Sequence, residues 1–193
     1  MNLYGFGKTL CRTLLNGLYH VEIIHAEKMP ADGGVLLCAN HIHNFDPPLV
    51  GVASNREVHF MAKAEIFHVP VLKSLLPKLN AFPVKRGMSD KSALKTGLQI
   101  LRSGKVLGLF PEGTRSKSGE TGEGLAGAGF FALKSDAAVV PCAIIGEYKF
   151  RRKVKIVFGD PVPFEALREK KASAQEATSL IMEHIKRLKS EHA

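Results

Sequence analysis

The 193-residue chain has no tryptophan, three cysteines and three tyrosines, and no apolar run long enough to cross a bilayer. Each shortage excludes something. A membrane-spanning helix needs about 20 consecutive apolar residues, so no integral span is expected. The cysteines, Cys11, Cys38 and Cys142, are odd in number and lack metal-ligand spacing. They argue against a disulfide framework and for a reducing, cytosolic setting. Cys38 and Cys142 sit in apolar stretches, where a buried thiol behaves as a small hydrophobe. Leu10 to Leu18 is broken by Arg12, Asn16 and Gly17, with no small-residue cleavage site after it, so no signal peptide is expected. Acidic side chains are also in deficit, 18 against 27 basic ones, for a net charge of +9. That excess predicts an anionic partner. Without tryptophan or interleaved aromatic and basic residues, nucleic acid is not the partner expected.

What is present is an ordinary globular composition, 45% hydrophobic, in a length suited to one domain with a full core. Leu3, Phe6, Leu10, Leu14 and Leu18 recur at helical spacing over residues 2–19. This helix either packs on its own domain or lies in the plane of a membrane. Strands are expected at 21–25, 35–39, 58–62, 81–84, 106–110, 138–145 and 153–158. Helices are expected from Pro47-Pro48, over 65–76 as an interrupted helix with Pro70 inside, from a Ser89 cap to Arg102, over 126–134 and over 172–190. Residues 117–124 read as a mobile loop. Alternating strands and helices predict a single α/β domain with a mainly parallel sheet flanked by helices, and an N-terminal amphipathic helix before it.

Two stretches carry the chemistry. Asn40-His41-Ile42-His43-Asn44-Phe45-Asp46-Pro47 follows the apolar run Val35-Leu36-Leu37-Cys38-Ala39. Phe110-Pro111-Glu112-Gly113-Thr114-Arg115-Ser116 follows Val106-Leu107-Gly108-Leu109. Ligands of open α/β sheets sit beyond the carboxyl ends of strands. A neutral imidazole at His41, oriented by Asp46 five positions on, can take a proton from a hydroxyl. No serine or cysteine nucleophile stands beside it, so direct attack by a substrate hydroxyl fits better than an acyl-enzyme. On spacing alone, His41 and Asp46 also fit a capped turn at a helix start. His41 and His43 resemble a metal pair, but no third ligand cluster joins them, and no metal is expected. Gly113 permits close backbone approach, and Arg115 can hold phosphate through two parallel bonds. Lys85-Arg86-Gly87 is a further cationic strand end.

Together with Phe82-Pro83-Val84-Lys85-Arg86 and Val139-Val140-Pro141-Cys142-Ala143, these stretches resemble the four ordered blocks of the glycerolipid acyltransferases. The chain is most similar to the 1-acyl-glycerol-3-phosphate acyltransferase (PlsC-like) group, over about residues 20–165. The periodicity sets an N-terminal amphipathic helix at 1–19 apart from the rest, and the resemblance implies an acyltransferase domain at 20–193. It implies acyl transfer from an acyl thioester, acyl-CoA or acyl-carrier protein, to the sn-2 hydroxyl of lysophosphatidic acid, giving phosphatidic acid. His41 would be the base and Asp46 its orienter. Arg86 and Arg115 would hold the acceptor phosphate. Glu112, Gly113 and Thr114 would shape the acceptor site, Lys63 would occupy a basic position common in the group, and Pro141 would help position the chain or acceptor. No cofactor beyond the acyl-donor co-substrate is implied. The expected partners are the acyl donor, the lysophospholipid and an anionic membrane surface, and the expected location is peripheral, on the cytoplasmic membrane face. One departure stands out: Leu125-Ala126-Gly127-Ala128-Gly129 lacks the basic residue many members carry before this Gly-Ala. Two rivals remain, an acyltransferase for another lysolipid and a lipid-binding protein that keeps the fold without the reaction.

Overall fold

The computed structural model describes residues 3–85, 90–116 and 120–193. Strands β1 (His20–Ile24), β2 (Val35–Ala39), β3 (Val58–Lys63), β4 (Ala81–Val84), β5 (Val106–Leu109), β6 (Ala138–Gly146) and β7 (Lys153–Phe158) form one sheet in the order β1-β7-β6-β2-β5-β3-β4. The helices are α1 (Leu3–Leu18), α2 (Asp46–Ala53), α3 (Pro70–Leu75), α4 (Lys91–Arg102), α5 (Gly127–Lys134), α6 (Glu165–Glu169) and α7 (Ala174–His192). All neighbouring strands run parallel except β6 and β7. Residues 147–152 between those two are too few for the crossover that a parallel pair needs, so the chain returns antiparallel.

The central strand explains itself. Every residue of β2 is buried, as a continuous apolar run must be when both sheet faces are covered. Val35, Leu37 and Ala39 join a core with Leu15 of α1 and Leu49 of α2. Leu36 and Cys38 join a second core with Leu101 of α4, Phe131 of α5 and Ile181 of α7. Burial pushes the thiols of Cys38 and Cys142 above their ordinary range, as the notion of small hydrophobes requires. Pro141 is tolerated inside β6 because its oxygen, which accepts Gly159 N–H at 2.8 Å, faces the side where β7 has ended at Phe158. Its missing N–H therefore costs the ladder nothing.

This topology creates the crevice. The chain leaving β2 enters α2 on one face, and the chain leaving β5 enters α5 on the other. Adjacent strands whose connections part to opposite faces open a gap beyond their carboxyl ends. The loops at 40–45 and 110–116 flank that gap.

Several local expectations change. The interrupted helix expected over 65–76 is a 3-10 turn at Ala64–His68, α3 starting at Pro70, and a second 3-10 turn at Pro77–Leu79. Proline lacks an N–H and suits the first helical position, so the interruption falls where Pro70 begins α3. Ser89 lies outside the described residues; the cap of α4 is Asp90, whose carboxylate accepts Ala93 N–H at 3.0 Å. Of the loop expected at 117–124, residues 117–119 lie outside the described residues. The short α6 was not foreseen. A capping box at Ser173 and Glu176 starts α7 two residues later than expected.

Candidate active site

The site begins with an asparagine. Asn40 is buried at the end of β2, and its amide pairs with the backbone of Ile144 in β6, accepting N–H at 2.7 Å and donating to the carbonyl at 2.9 Å. This side chain stands in for one more rung of the ladder, so the chain can turn out of the sheet at His41. The backbone N–H of His41 donates to Glu112 Oε2 at 2.8 Å, and its carbonyl accepts Ser116 N–H at 2.8 Å. The loops after β2 and β5 are thereby tied together at the histidine.

Asp46 is fully buried at the first position of α2. Its Oδ2 lies 2.7 Å from His41 Nδ1 and accepts the N–H groups of Ile42 and His43, each at 2.7 Å. An ionised carboxylate only accepts, so Nδ1 carries the proton and Nε2 keeps its lone pair. The imidazole stacks on Phe110, with centroids 4.2 Å apart and planes inclined by 23°. Stacking and the Asp46 bond together fix the ring orientation. The geometry suits a general base held in one tautomer.

His41 lines an apolar cleft of about 440 Å³ that runs between α1, α2 and the segment after β3. Tyr4, Gly7, Cys11, Pro48, Ile66 and Leu79 contribute walls, and Lys63 stands at its edge. The volume lies in the range of small-ligand sites. Inside the cleft, Lys8 bonds the Ser54 carbonyl, and burial together with neighbouring Arg12 lowers its pKa.

The family model described as Acyltransferase matches residues 20–145. The chain belongs to that acyltransferase family. It is 31% identical over 166 residues to a 1-acyl-sn-glycerol-3-phosphate acyltransferase of Bacillus subtilis, covering 83% of this chain and 82% of that one. A chloroplastic 1-acyl-sn-glycerol-3-phosphate acyltransferase of Arabidopsis thaliana is 31% identical over 134 residues, 68% of this chain and 37% of that protein. Among solved structures, the 1-acyl-sn-glycerophosphate (LPA) acyltransferase PlsC from Thermotoga maritima superposes with a TM-score of 0.75 at 24% identity, over 98% of this chain and 78% of that one. That likeness shows the fold, and the chain is a PlsC-like acyltransferase in its architecture.

In this acyltransferase the residues nominated from sequence fall into groups. His41 and Lys63 share the cleft wall, and Lys63 also meets Glu65 at 3.6 Å. Glu112 does not reach into the cleft lining. Its two carboxylate oxygens accept His41 N–H and Gly122 N–H, at 2.8 and 2.9 Å. It acts as a staple between loops. Gly113 has φ +68°, a left-handed turn that favours glycine and lets the chain double back so that Leu125 N–H reaches the Pro111 carbonyl. Thr114 and Arg115 are exposed beside Ser116. Arg86 lies outside the described residues. Among the described residues, no group of three or more His, Cys, Asp or Glu comes together in a metal-holding arrangement.

Sequence reasoning missed Tyr148, whose hydroxyl donates to Asp46 Oδ1 at 2.7 Å. It also gave Asn40 no role. Both contacts join residues more than 100 positions apart, and only the adjacency of β2 and β6 brings them together. The contribution of α1 to the cleft was likewise unforeseen; only its helical period was visible.

Proposed function

We propose that this acyltransferase moves a fatty acyl group from an acyl thioester to the sn-2 hydroxyl of lysophosphatidic acid, giving phosphatidic acid. The observation that carries the reading is the oriented His41 imidazole opening onto an apolar cleft, in a chain whose relatives are named for this reaction. His41 Nε2 accepts the hydroxyl proton as the acceptor oxygen attacks the thioester carbonyl. The tetrahedral intermediate then collapses, the carbon–sulfur bond breaks, and the departing thiolate takes the proton from the imidazolium. Asp46 holds the imidazolium through Nδ1. No cofactor is needed, because a thiolate is a good leaving group. The cleft receives acyl chain, and Lys63, Arg86 and Arg115 supply the cations for the acceptor phosphate. Either coenzyme A or an acyl-carrier protein as the donor suits the basic surface of a chain with net charge +9.

The protein works at the cytoplasmic membrane face as a peripheral enzyme. Among the described residues, no helix is long and apolar enough to cross a membrane. Helix α1 nevertheless exposes Leu3, Phe6, Leu10 and Leu14 on one side, spaced for one helical stripe. Phe150, 70% exposed and flanked by Lys149, Arg151 and Arg152, sits in the turn whose Arg151 N–H bonds Leu18 at the end of α1. Apolar groups ringed by cations suit an anionic bilayer.

Thiol release from a long-chain acyl-CoA, with and without lysophosphatidic acid, tests the reaction. Acceptor-dependent release is expected, and its loss in His41→Ala would establish the base. Release without acceptor dependence would overturn the acceptor assignment. Absence of release with both acyl-CoA and acyl-carrier protein, over a panel of lysolipids, would favour a lipid-binding protein.

A further inference from the structure

We infer that Tyr148 is a positioning residue for the acyl-transfer step, acting through Asp46 on His41; the inference rests on the reading of His41 as the base. The Asp46 carboxylate is divided between two duties. Oδ2 receives His41 Nδ1 and the amides of Ile42 and His43. Oδ1 receives the Tyr148 hydroxyl at 2.7 Å. All donors to Oδ2 come from the histidine loop itself, so they move with it. Tyr148 comes from a different element, the turn between β6 and β7, and references the carboxylate to the sheet. A buried carboxylate with one oxygen unbonded would carry the cost of an unsatisfied acceptor. The tyrosine removes that cost and adds a bond from outside the histidine loop.

Tyr148 is itself held. Its ring stacks on His43, centroids 4.4 Å apart and planes inclined by 20°, and meets Tyr19 edge-on at 5.3 Å and 87°. Burial first, and then the Asp46 charge, push its pKa far above the ordinary phenol range. The hydroxyl therefore stays protonated and donates.

The same bond tunes the base. A donor on Oδ1 draws negative charge away from Oδ2, which faces the imidazole. Other ionisable or polar groups around the pair are His43 on the loop, Tyr19 after α1, and Glu112, which reaches the His41 backbone N–H from the loop after β5. None of them donates to Oδ1 in the described structure, so removing the Tyr148 hydroxyl strengthens the field at His41. The imidazolium is then retained to higher pH, and the acid limb of the rate profile moves upward.

The test compares wild type, Tyr148→Phe and a protein carrying 3-fluorotyrosine at 148, which keeps the ring and makes the hydroxyl a stronger donor. Tyr148→Phe is expected to lower kcat roughly tenfold, to leave KM for both substrates unchanged, and to move the acid limb up by roughly 0.5 pH unit. The fluorinated protein is expected to move it down. The His41 ring-proton NMR titration should shift in the same two directions with no substrate present. In an Asp46→Asn background, Tyr148→Phe should have little further effect. Unmoved titrations in both proteins would overturn the role of Tyr148 whatever the reaction. Shifted titrations with an active His41→Ala protein would instead overturn the reading of His41 as base. Should Tyr148→Phe fail to fold, the fluorinated protein alone decides, an unmoved limb and titration overturning the proposal.

Discussion

The two sides of the cleft are stabilised by different forces. On the histidine side, Asn40, His41, Asp46, Glu112 and Tyr148 are joined by hydrogen bonds of 2.7 to 2.9 Å, almost all crossing between separate strands or loops. On the opposite side, Tyr4, Cys11, Ile66 and Leu79 meet the cleft as half-buried side chains on α1 and the turns after β3. Hydrogen bonds set angles and distances to tenths of an ångström, whereas apolar contact is non-directional. The side that must aim a lone pair is bonded. The side that must accept a chain of methylenes is mainly apolar surface, with Tyr4 and Lys8 each tied by one bond to the backbone, at Val58 and Ser54 respectively. Substitutions should therefore separate chemistry from accommodation.

The largest effect belongs to the bonded side. His41→Ala should cut turnover by about 10³-fold, within the span of general-base contributions, while the fold persists with a modest drop in the urea midpoint, because Asp46 Oδ2 keeps the N–H groups of Ile42 and His43. A variant that loses turnover only by unfolding would erase the contrast between the two walls.

Glu112→Ala comes next and breaks both properties together. Two backbone N–H groups lose their acceptor, and each unsatisfied group costs about 1–3 kcal/mol if water does not reach it. Chemical denaturation should show a loss of about 2 kcal/mol. Turnover should fall without a change in chain-length preference, since the cleft lining is untouched. Glu112→Gln keeps one carbonyl acceptor and should recover part of both losses.

A change on the apolar side should do the reverse. Leu79→Trp narrows the cleft beside Gly7, whose Cα already approaches Leu79 so closely that an added Cβ would sit 2.9 Å from its Cδ2. Preference is expected to move toward shorter acyl chains, read as the ratio of kcat/KM for short and long thioesters. Turnover with the shortest donor should stay near wild type. An equal loss at every chain length would mean that this side of the cleft also governs the chemistry.

How much of this was legible in the sequence follows from the range of each interaction. Strands β2, β4 and β7 announce themselves through local apolar patterning, and their bounds agree with it. The loops at 40–46 and 110–116 were visible because the residues that shape each one are neighbours in the chain. What escaped depends on tertiary pairing. Asn40 and Tyr148 act on partners 104 and 102 positions away, and no local pattern encodes that distance. The resemblance gave Glu112 a part in shaping the acceptor site; the fold adds its two backbone partners, His41 N–H and Gly122 N–H, which no local pattern encodes. The break at Pro70 was legible because proline cannot continue a helix, whereas the 3-10 character of the turn before it was not.

The smallest effect concerns the outside of α1, which links the apolar wall to the membrane. Leu15 of this helix is buried in the core, while Phe6 and Leu10 are 52% and 58% exposed. Replacing the latter two with serine removes apolar surface that the folded protein leaves in water, so stability should change by less than about 0.5 kcal/mol. Vesicles of mixed anionic and zwitterionic lipid should bind the double variant roughly tenfold more weakly, as expected when two side chains lose insertion into the interface. Turnover on soluble short-chain substrates should be unchanged, because the residues of α1 that line the cleft are Tyr4, Gly7, Lys8 and Cys11, on a different face from Phe6 and Leu10. Equal vesicle binding would move the membrane contact elsewhere, with the basic turn around Phe150 as the next surface to test. Lost turnover on soluble substrates would show that the stripe supports the cleft wall, and the division of α1 into a lipid side and a substrate side would fail.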